Sequence, residues 1–199
     1  MRTKIVDLLI LCFFCLPTEG FSQEKPARRL TILIVYYSEE GHTMQMAEAI
    51  SRGAATVKGT EVRLCSVSEV DTSEVRSAAA IIIGSPVFNA AVAPKVQAFI
   101  NSWPFDGSMK NKIGAAFTTG GGISAGEELV QVGLIHSMMV FGMIIVGGEH
   151  WSSAFGASAV TGEDPFRKGP LEKTFLEKGE ALGKRVAELV LRLQRRTRD

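Results

Sequence analysis

Ser38, Gly41, His42 and Thr43 fall together in Tyr36-Tyr37-Ser38-Glu39-Glu40-Gly41-His42-Thr43, directly after the apolar run Leu30–Val35. Hydroxyls, a glycine and the start of a helix therefore meet where a strand ends. A helix start aims unsatisfied backbone N–H groups and the positive end of the helix dipole at one point, an arrangement that suits phosphate. No Lys or Arg lies between Tyr36 and Thr43, so a phosphate there would be held by neutral donors. Glu39 and Glu40 would repel it, which sends their side chains to solvent and leaves their backbones in the loop. An ordinary strand–helix turn capped by Ser38 or Thr43 accounts for this segment equally well.

Two further loops belong with the first. Gly84-Ser85-Pro86-Val87-Phe88-Asn89 follows the apolar Ala78–Gly84, and Thr118-Thr119-Gly120-Gly121-Gly122 ends the apolar Ile113–Thr119. Pro86 fixes the chain as it leaves the strand, and Val87 and Phe88 are exposed there unless something flat covers them. Consecutive glycines let backbone approach a ligand closely and present N–H donors. Absent patterns narrow the chemistry. No Gly-x-Gly-x-x-Gly follows the first strand, no Walker-type Gly-x4-Gly-Lys occurs, and no Gly-x-Ser-x-Gly elbow offers a nucleophile. His42, His136 and His150 lack metal-ligand spacing. His42 is expected to offer its backbone N–H, His136 to be packed within an apolar helix, and Cys65 to be core packing rather than a reactive thiol.

The elements that must position these loops alternate along the chain. Strands are predicted over Leu30–Tyr37, Val62–Val67, Ala78–Gly84, Ile113–Thr119 and Met143–Gly147. Helices are predicted over Thr43–Val57, Pro94–Trp103, Glu127–Phe141 and a long closing stretch begun by Pro170, with Leu171, Phe175, Leu182, Val186, Leu189 and Leu193 along one stripe. Buried strands alternating with helices give an open, doubly wound parallel sheet, whose ligands bind beyond the carboxyl ends of the strands. Gly147–Gly162 is the one long irregular stretch, a length often tied to function.

The 199 residues carry Lys+Arg 22 against Asp+Glu 21, a net charge of +1 that gives no footprint for nucleic acid. Met1-Arg2-Thr3-Lys4, the apolar Leu8–Leu16 and the small residues Gly20 and Ser22 read as a signal peptide over residues 1–22, cleaved after Ser22 or Gly20. That apolar run is too short to span a hydrocarbon core of about 30 Å, so no stable membrane insertion is expected. The expectation is an exported chain with one mature domain over residues 23–199, cytoplasmic if the segment is not a signal. Cys12 and Cys15 would leave with the signal, and Cys65 would remain unpaired.

Tyr37-Ser38-x-x-Gly41-His42-Thr43, Gly84-Ser85-Pro86-Val87-Phe88, the Thr118–Gly122 loop, Gly142-Met143-Ile144-Ile145-Val146 and Ser153–Ala157 with Thr161-Gly162 together resemble the flavodoxin-like superfamily. Within it the chain is similar to the WrbA/NAD(P)H:quinone oxidoreductase group, the NADPH-dependent FMN reductase-like proteins. The resemblance spans roughly residues 30 to 190. It implies an α/β fold, a flavodoxin-like three-layer sandwich with a five-stranded parallel sheet of order 2-1-3-4-5 and helices on both faces. It implies FMN, with the phosphate on Ser38, Glu40, Gly41, His42 and Thr43. The ring would be lined by Pro86, Val87, Phe88 and Asn89, and its pyrimidine edge bonded by Thr118, Thr119, Gly120, Gly121 and Gly122. Hydride chemistry would belong to the flavin, with no obligatory catalytic side chain. The implied function passes electrons from NAD(P)H to a quinone or similar acceptor, in a chain that self-associates as a homo-oligomer. A flavodoxin-type electron carrier and a degenerate flavodoxin-like binding module are the alternatives. A near-zero net charge disfavours the carrier, since carriers tend to be acidic around the flavin. Two departures stand out: Phe88-Asn89-Ala90-Ala91 replaces a family segment with a further aromatic and a glycine, and Val140-Phe141 replaces a family His pair.

Overall fold

A computed structural model describes residues 30–166 and 169–196. The expected signal peptide and the cysteines within it lie outside the described residues. Apolar strand residues alternate between two cores, as a sheet covered on both faces requires. On one face Ile32, Ile34, Ile82 and Phe117 pack with Met46, Ile50, Leu182 and Val186. On the other Leu33, Val35, Ile81 and Ile83 pack with Val96, Ile100, Leu134 and Met138.

Strands β1 (Leu30–Tyr36), β2 (Thr60–Ser66), β3 (Ala80–Phe88) and β5 (Ile113–Gly120) run parallel in the order β2-β1-β3-β5. The short β4 (Ala91–Val92) turns back antiparallel on the end of β3. Helices α1 (His42–Ala55) and α5 (Lys173–Arg196) cover the first face, and α3 (Pro94–Asn101) and α4 (Glu127–Val140) the second. The reversal of strand order lies between β1 and β3, so the loops leaving those strands diverge and open a crevice.

The fifth sheet position differs from the sequence reading. Two pieces share it, β6 (Ile144–Ile145) on Ile113–Gly114 and β7 (Ala157–Val160) on Phe117–Gly120, both parallel to β5. Residues between them leave the edge as an insert carrying a 3-10 turn at Trp151–Ser153. The expected order 2-1-3-4-5 is therefore present, with its last strand split. A six-residue helix α2 (Thr72–Ser77) also forms, held by a capping box in which Asp71 accepts from Ser73 and Glu74 N–H while Glu74 accepts from Asp71 N–H. The closing helix starts at Lys173 rather than Pro170, which leaves Leu171 buried ahead of it. His136 faces solvent rather than packing.

Helices α1 and α5 meet backbone to backbone. A Cβ on Gly53 would lie 1.9 Å from the Glu180 carbonyl oxygen, and one on Gly183 1.9 Å from that of Ile50. This contact sets the height of the start of α1 above the sheet.

Candidate cofactor site

The loop after β1 is shaped by its own backbone. Ser38 Oγ accepts from Gly41 N–H at 3.1 Å, and Gly41 takes φ +90° with open space where a side chain would project. Helix α1 then begins with no side-chain cap and no acidic residue in its first turn. Neither Ser38 nor Thr43 caps it, so the plain capped turn is not what forms here. The N–H groups of His42, Thr43 and Met44 are left for something else. Glu39 and Glu40 point outward: Glu39 accepts from the Tyr37 hydroxyl at 2.5 Å, and the Glu40 carboxylate stands 3.8 Å from His42 Nδ1. Chain from beyond β7 closes the flank, where Leu171 N–H donates to Gln45 Oε1 at 2.9 Å and the Gly169 carbonyl lies 3.4 Å from His42 Nε2.

β3 does not stop at Gly84. It runs through Pro86 to Phe88 and turns at Asn89 (φ +50°) and Ala90 (φ +59°) into β4. Ser85 Oγ locks this hairpin, accepting from Ala93 N–H at 2.9 Å and donating to the Pro86 carbonyl at 2.7 Å. Val87 and Phe88 are half-buried, the Phe88 ring lying 6.3 Å from that of Tyr37, over which Lys95 Nζ stands at 4.7 Å. The tip of the hairpin rests on the loop before α4: a Cβ on Gly126 would sit 2.8 Å from that of Ala90.

Thr118, Thr119 and Gly120 lie within β5, not in a loop. The Thr118 hydroxyl donates to the Ser85 carbonyl at 2.7 Å, and the Thr119 hydroxyl is 2.8 Å from that of Thr43. Both side chains thus serve the interior rather than facing a ligand directly. Gly121 and Gly122 form the loop proper. The segment after β7 fastens it, through Thr161 N–H on the Gly120 carbonyl at 2.9 Å and Glu163 Oε2 accepting from Ile123 N–H at 2.8 Å. Thr161, Glu163 and the Thr43–Thr119 contact join residues far apart in the chain, and nothing local in the sequence signals them.

The NADPH-dependent FMN reductase family model matches residues 69–158. A flavodoxin from Aquifex aeolicus is 32% identical over 166 residues, covering 80% of this chain and 86% of that protein. An NAD(P)H dehydrogenase (quinone) from Sinorhizobium fredii is 30% identical, covering 69% of this chain and 86% of that protein. The chain belongs to the flavodoxin-like superfamily, in its WrbA/NAD(P)H:quinone oxidoreductase group. In fold it is similar to a flavodoxin, WrbA-like protein from Agrobacterium tumefaciens, with TM-score 0.69, 22% identity and coverage of 82% and 98% of the two chains.

FMN is the cofactor of this flavodoxin-like family, and the site fits it. The first turn of α1 offers uncapped N–H groups beside open space at Gly41. Half-buried Pro86, Val87 and Phe88 border the crevice, and Gly121 is exposed with nothing within 4 Å of a Cβ position. Asn89 and Ala90 both take left-handed backbone at this turn, with no glycine there. Among the described residues no group of His, Cys, Asp and Glu is placed to hold a metal. Cys65 is buried, and burial pushes its thiol up to about 11, against a role as nucleophile. His150 is exposed on the insert, next to Trp151, whose side chain is 92% exposed. Behind Trp151 and Phe155, a cleft of ≈ 220 Å³ is lined also by Glu128, Gln131 and Ser158.

Proposed function

We propose that this chain is an FMN-dependent oxidoreductase passing electrons from NAD(P)H to a quinone or similar small acceptor. The observation that carries it is the uncapped start of α1 opposite the apolar Pro86–Phe88 strand end, at the reversal of strand order. Backbone N–H groups of His42 and Thr43, with the Ser38 and Glu40 backbone, hold the phosphate, and Gly41 supplies the tight turn that opens space for it. Pro86, Val87, Phe88 and Asn89 keep water from one face of the ring. Backbone N–H groups of Gly120, Gly121 and Gly122 meet its polar edge, where donors favour the reduced, more negative form. The bound flavin supplies hydride acceptance and electron release. No side-chain acid or base is required of the protein. Export through residues 1–22 is part of this proposal, and N-terminal sequencing of secreted material checks it.

A second reading, an electron carrier docking to a protein partner, has its own support. Residues 37–43, 86–93, 120–128 and 157–166 contain Glu39, Glu40, Glu127, Glu128, Glu163 and Asp164 and no Lys or Arg. The acidity that the net charge conceals is therefore concentrated beside the crevice, with Lys95 over the Tyr37 ring as a cation set against it. It repels the phosphates of NAD(P)H and suits a basic partner.

The FMN-loaded protein mixed with NADH or NADPH without oxygen tests both. Rapid bleaching of the flavin followed by quinone-dependent reoxidation supports the oxidoreductase. A flavin that stays oxidised with either nucleotide but is reduced by a basic reductase supports the carrier, and no uptake of FMN rejects both.

A further inference from the structure

Thr43, in the first turn of α1, and Thr119, near the end of β5, are 2% and 5% exposed, with hydroxyl oxygens 2.8 Å apart. Neither hydroxyl makes another hydrogen bond among the described residues. Each carries one proton and two lone pairs. One proton fills the gap between the oxygens, so the other is a buried donor without an acceptor, which a folded interior tolerates poorly. Two arrangements exist. If Thr43 donates to Thr119, the spare proton belongs to β5. If Thr119 donates to Thr43, the spare proton lies at the first turn of α1, beside the uncapped N–H groups of His42 and Met44. There an anion can accept it.

We infer that Thr119 is a positioning residue for the phosphate end of the cofactor: it donates to Thr43 Oγ1 and so turns the single Thr43 proton toward the anion on the first turn of α1. The inference rests on the FMN reading proposed above. Thr119 reaches no ligand itself and acts by setting which way its partner's proton points.

FMN and riboflavin have the same ring and differ by the phosphate, so their relative affinities report this end of the site alone. Titration of the apoprotein with each flavin, followed by quenching of flavin fluorescence, gives both affinities. Thr119→Val is expected to weaken FMN about tenfold, within the range for one lost hydrogen bond between neutral groups, and to leave riboflavin unchanged. Thr119→Ser should retain the wild-type preference. Thr43→Val should show the same selective loss, and adding Thr119→Val to it should cost nothing further. Thr119→Ala serves where the valine variant fails to fold, as judged by thermal unfolding of the apoprotein. Equal weakening of both flavins, or no change in either, overturns the positioning role while the FMN reading stands. A wild-type protein that binds both flavins equally overturns the phosphate reading, and this inference with it.

Discussion

Ala90 occupies a backbone conformation that costs an L side chain about 1–2 kcal/mol relative to the right-handed region. Its φ of +59° is imposed by the two-residue turn joining β3 to β4, for which Asn-Gly is the favoured pair. Ala90→Gly should therefore stabilise the protein by roughly 0.5–1 kcal/mol, after the greater freedom of glycine in the unfolded chain is subtracted. Chemical denaturation of the apoprotein measures this, and an unchanged midpoint would contradict the strain. Cys65 gives a second prediction. With its thiol raised to about 11 by burial, the folded chain holds only about one thiolate in a thousand at pH 8. A thiol reagent should then react at the rate of unfolding, and at full speed in denaturant. Because the folded value is raised, its contribution to stability is complete below about pH 8.5 and declines as pH climbs toward 11. Cys65→Ala should flatten that alkaline decline. At this scale the sequence was readable where a role needs only one residue and its neighbours, as for Gly41 in its turn or Cys65 in its strand. For Thr118 and Thr119 the sequence does not tell where the hydroxyl turns, because that depends on what lies across from it. For Thr119 that is Thr43, 76 residues away.

The contact of α1 with α5 is made by glycines whose backbones touch, and this is where helix geometry is least forgiving. A glycine in an exposed helix interior is normally improved by alanine, by about 1 kcal/mol. Gly183→Ala should do the reverse, since its Cβ would fall 1.9 Å from the Ile50 carbonyl oxygen. Separating the helices should cost about 3 kcal/mol or more, read as a lower denaturation midpoint. Flavin affinity should fall with it, because α1 carries the loop proposed to hold the phosphate. Long elements were legible from periodicity alone: continuous apolar strands and one-faced helices leave few alternatives. The short ones were not. Residues 157–160 alternate over only four positions inside a Gly- and Ser-rich stretch, so β7 is defined by its register on Phe117–Gly120 and not by its own pattern. Conversely, α2 had a local signature in Asp71 and Glu74, but six residues give no periodicity to read. β3 continues past Pro86 because that strand end pairs on one side with Thr119 and its far end folds back on itself.

A net charge of +1 describes the whole molecule badly, since three of the four crevice segments carry acidic residues and no Lys or Arg, with Lys95 over Tyr37 set against them, while Lys58, Lys110 and Lys112 sit in loops at the opposite edge of the sheet. The two functional readings therefore separate by ionic strength. An anionic nucleotide approaching an acidic crevice is helped by screening, so kcat/KM for NADPH should rise about threefold or more between low salt and 0.3 M. Electron transfer with a basic partner protein should slow over the same range. Stopped-flow reduction at several salt concentrations distinguishes the two slopes, and a flat profile would mean that these carboxylates do not govern encounter. Among the described residues no helix is long and apolar enough to cross a membrane. The split edge strand has one more consequence. The insert between β6 and β7 begins and ends at the same place, with Gly148 N–H on the Ser153 carbonyl at 2.9 Å and Gly147 pressed against the Ala154 backbone. Its loop is closed before it leaves the sheet, and lengthening such a loop costs little. Trp151 can therefore be exchanged for other sequence, by evolution or by grafting, without shifting the register of β5. The part of the surface that greets visitors is detachable from the part that keeps the cofactor.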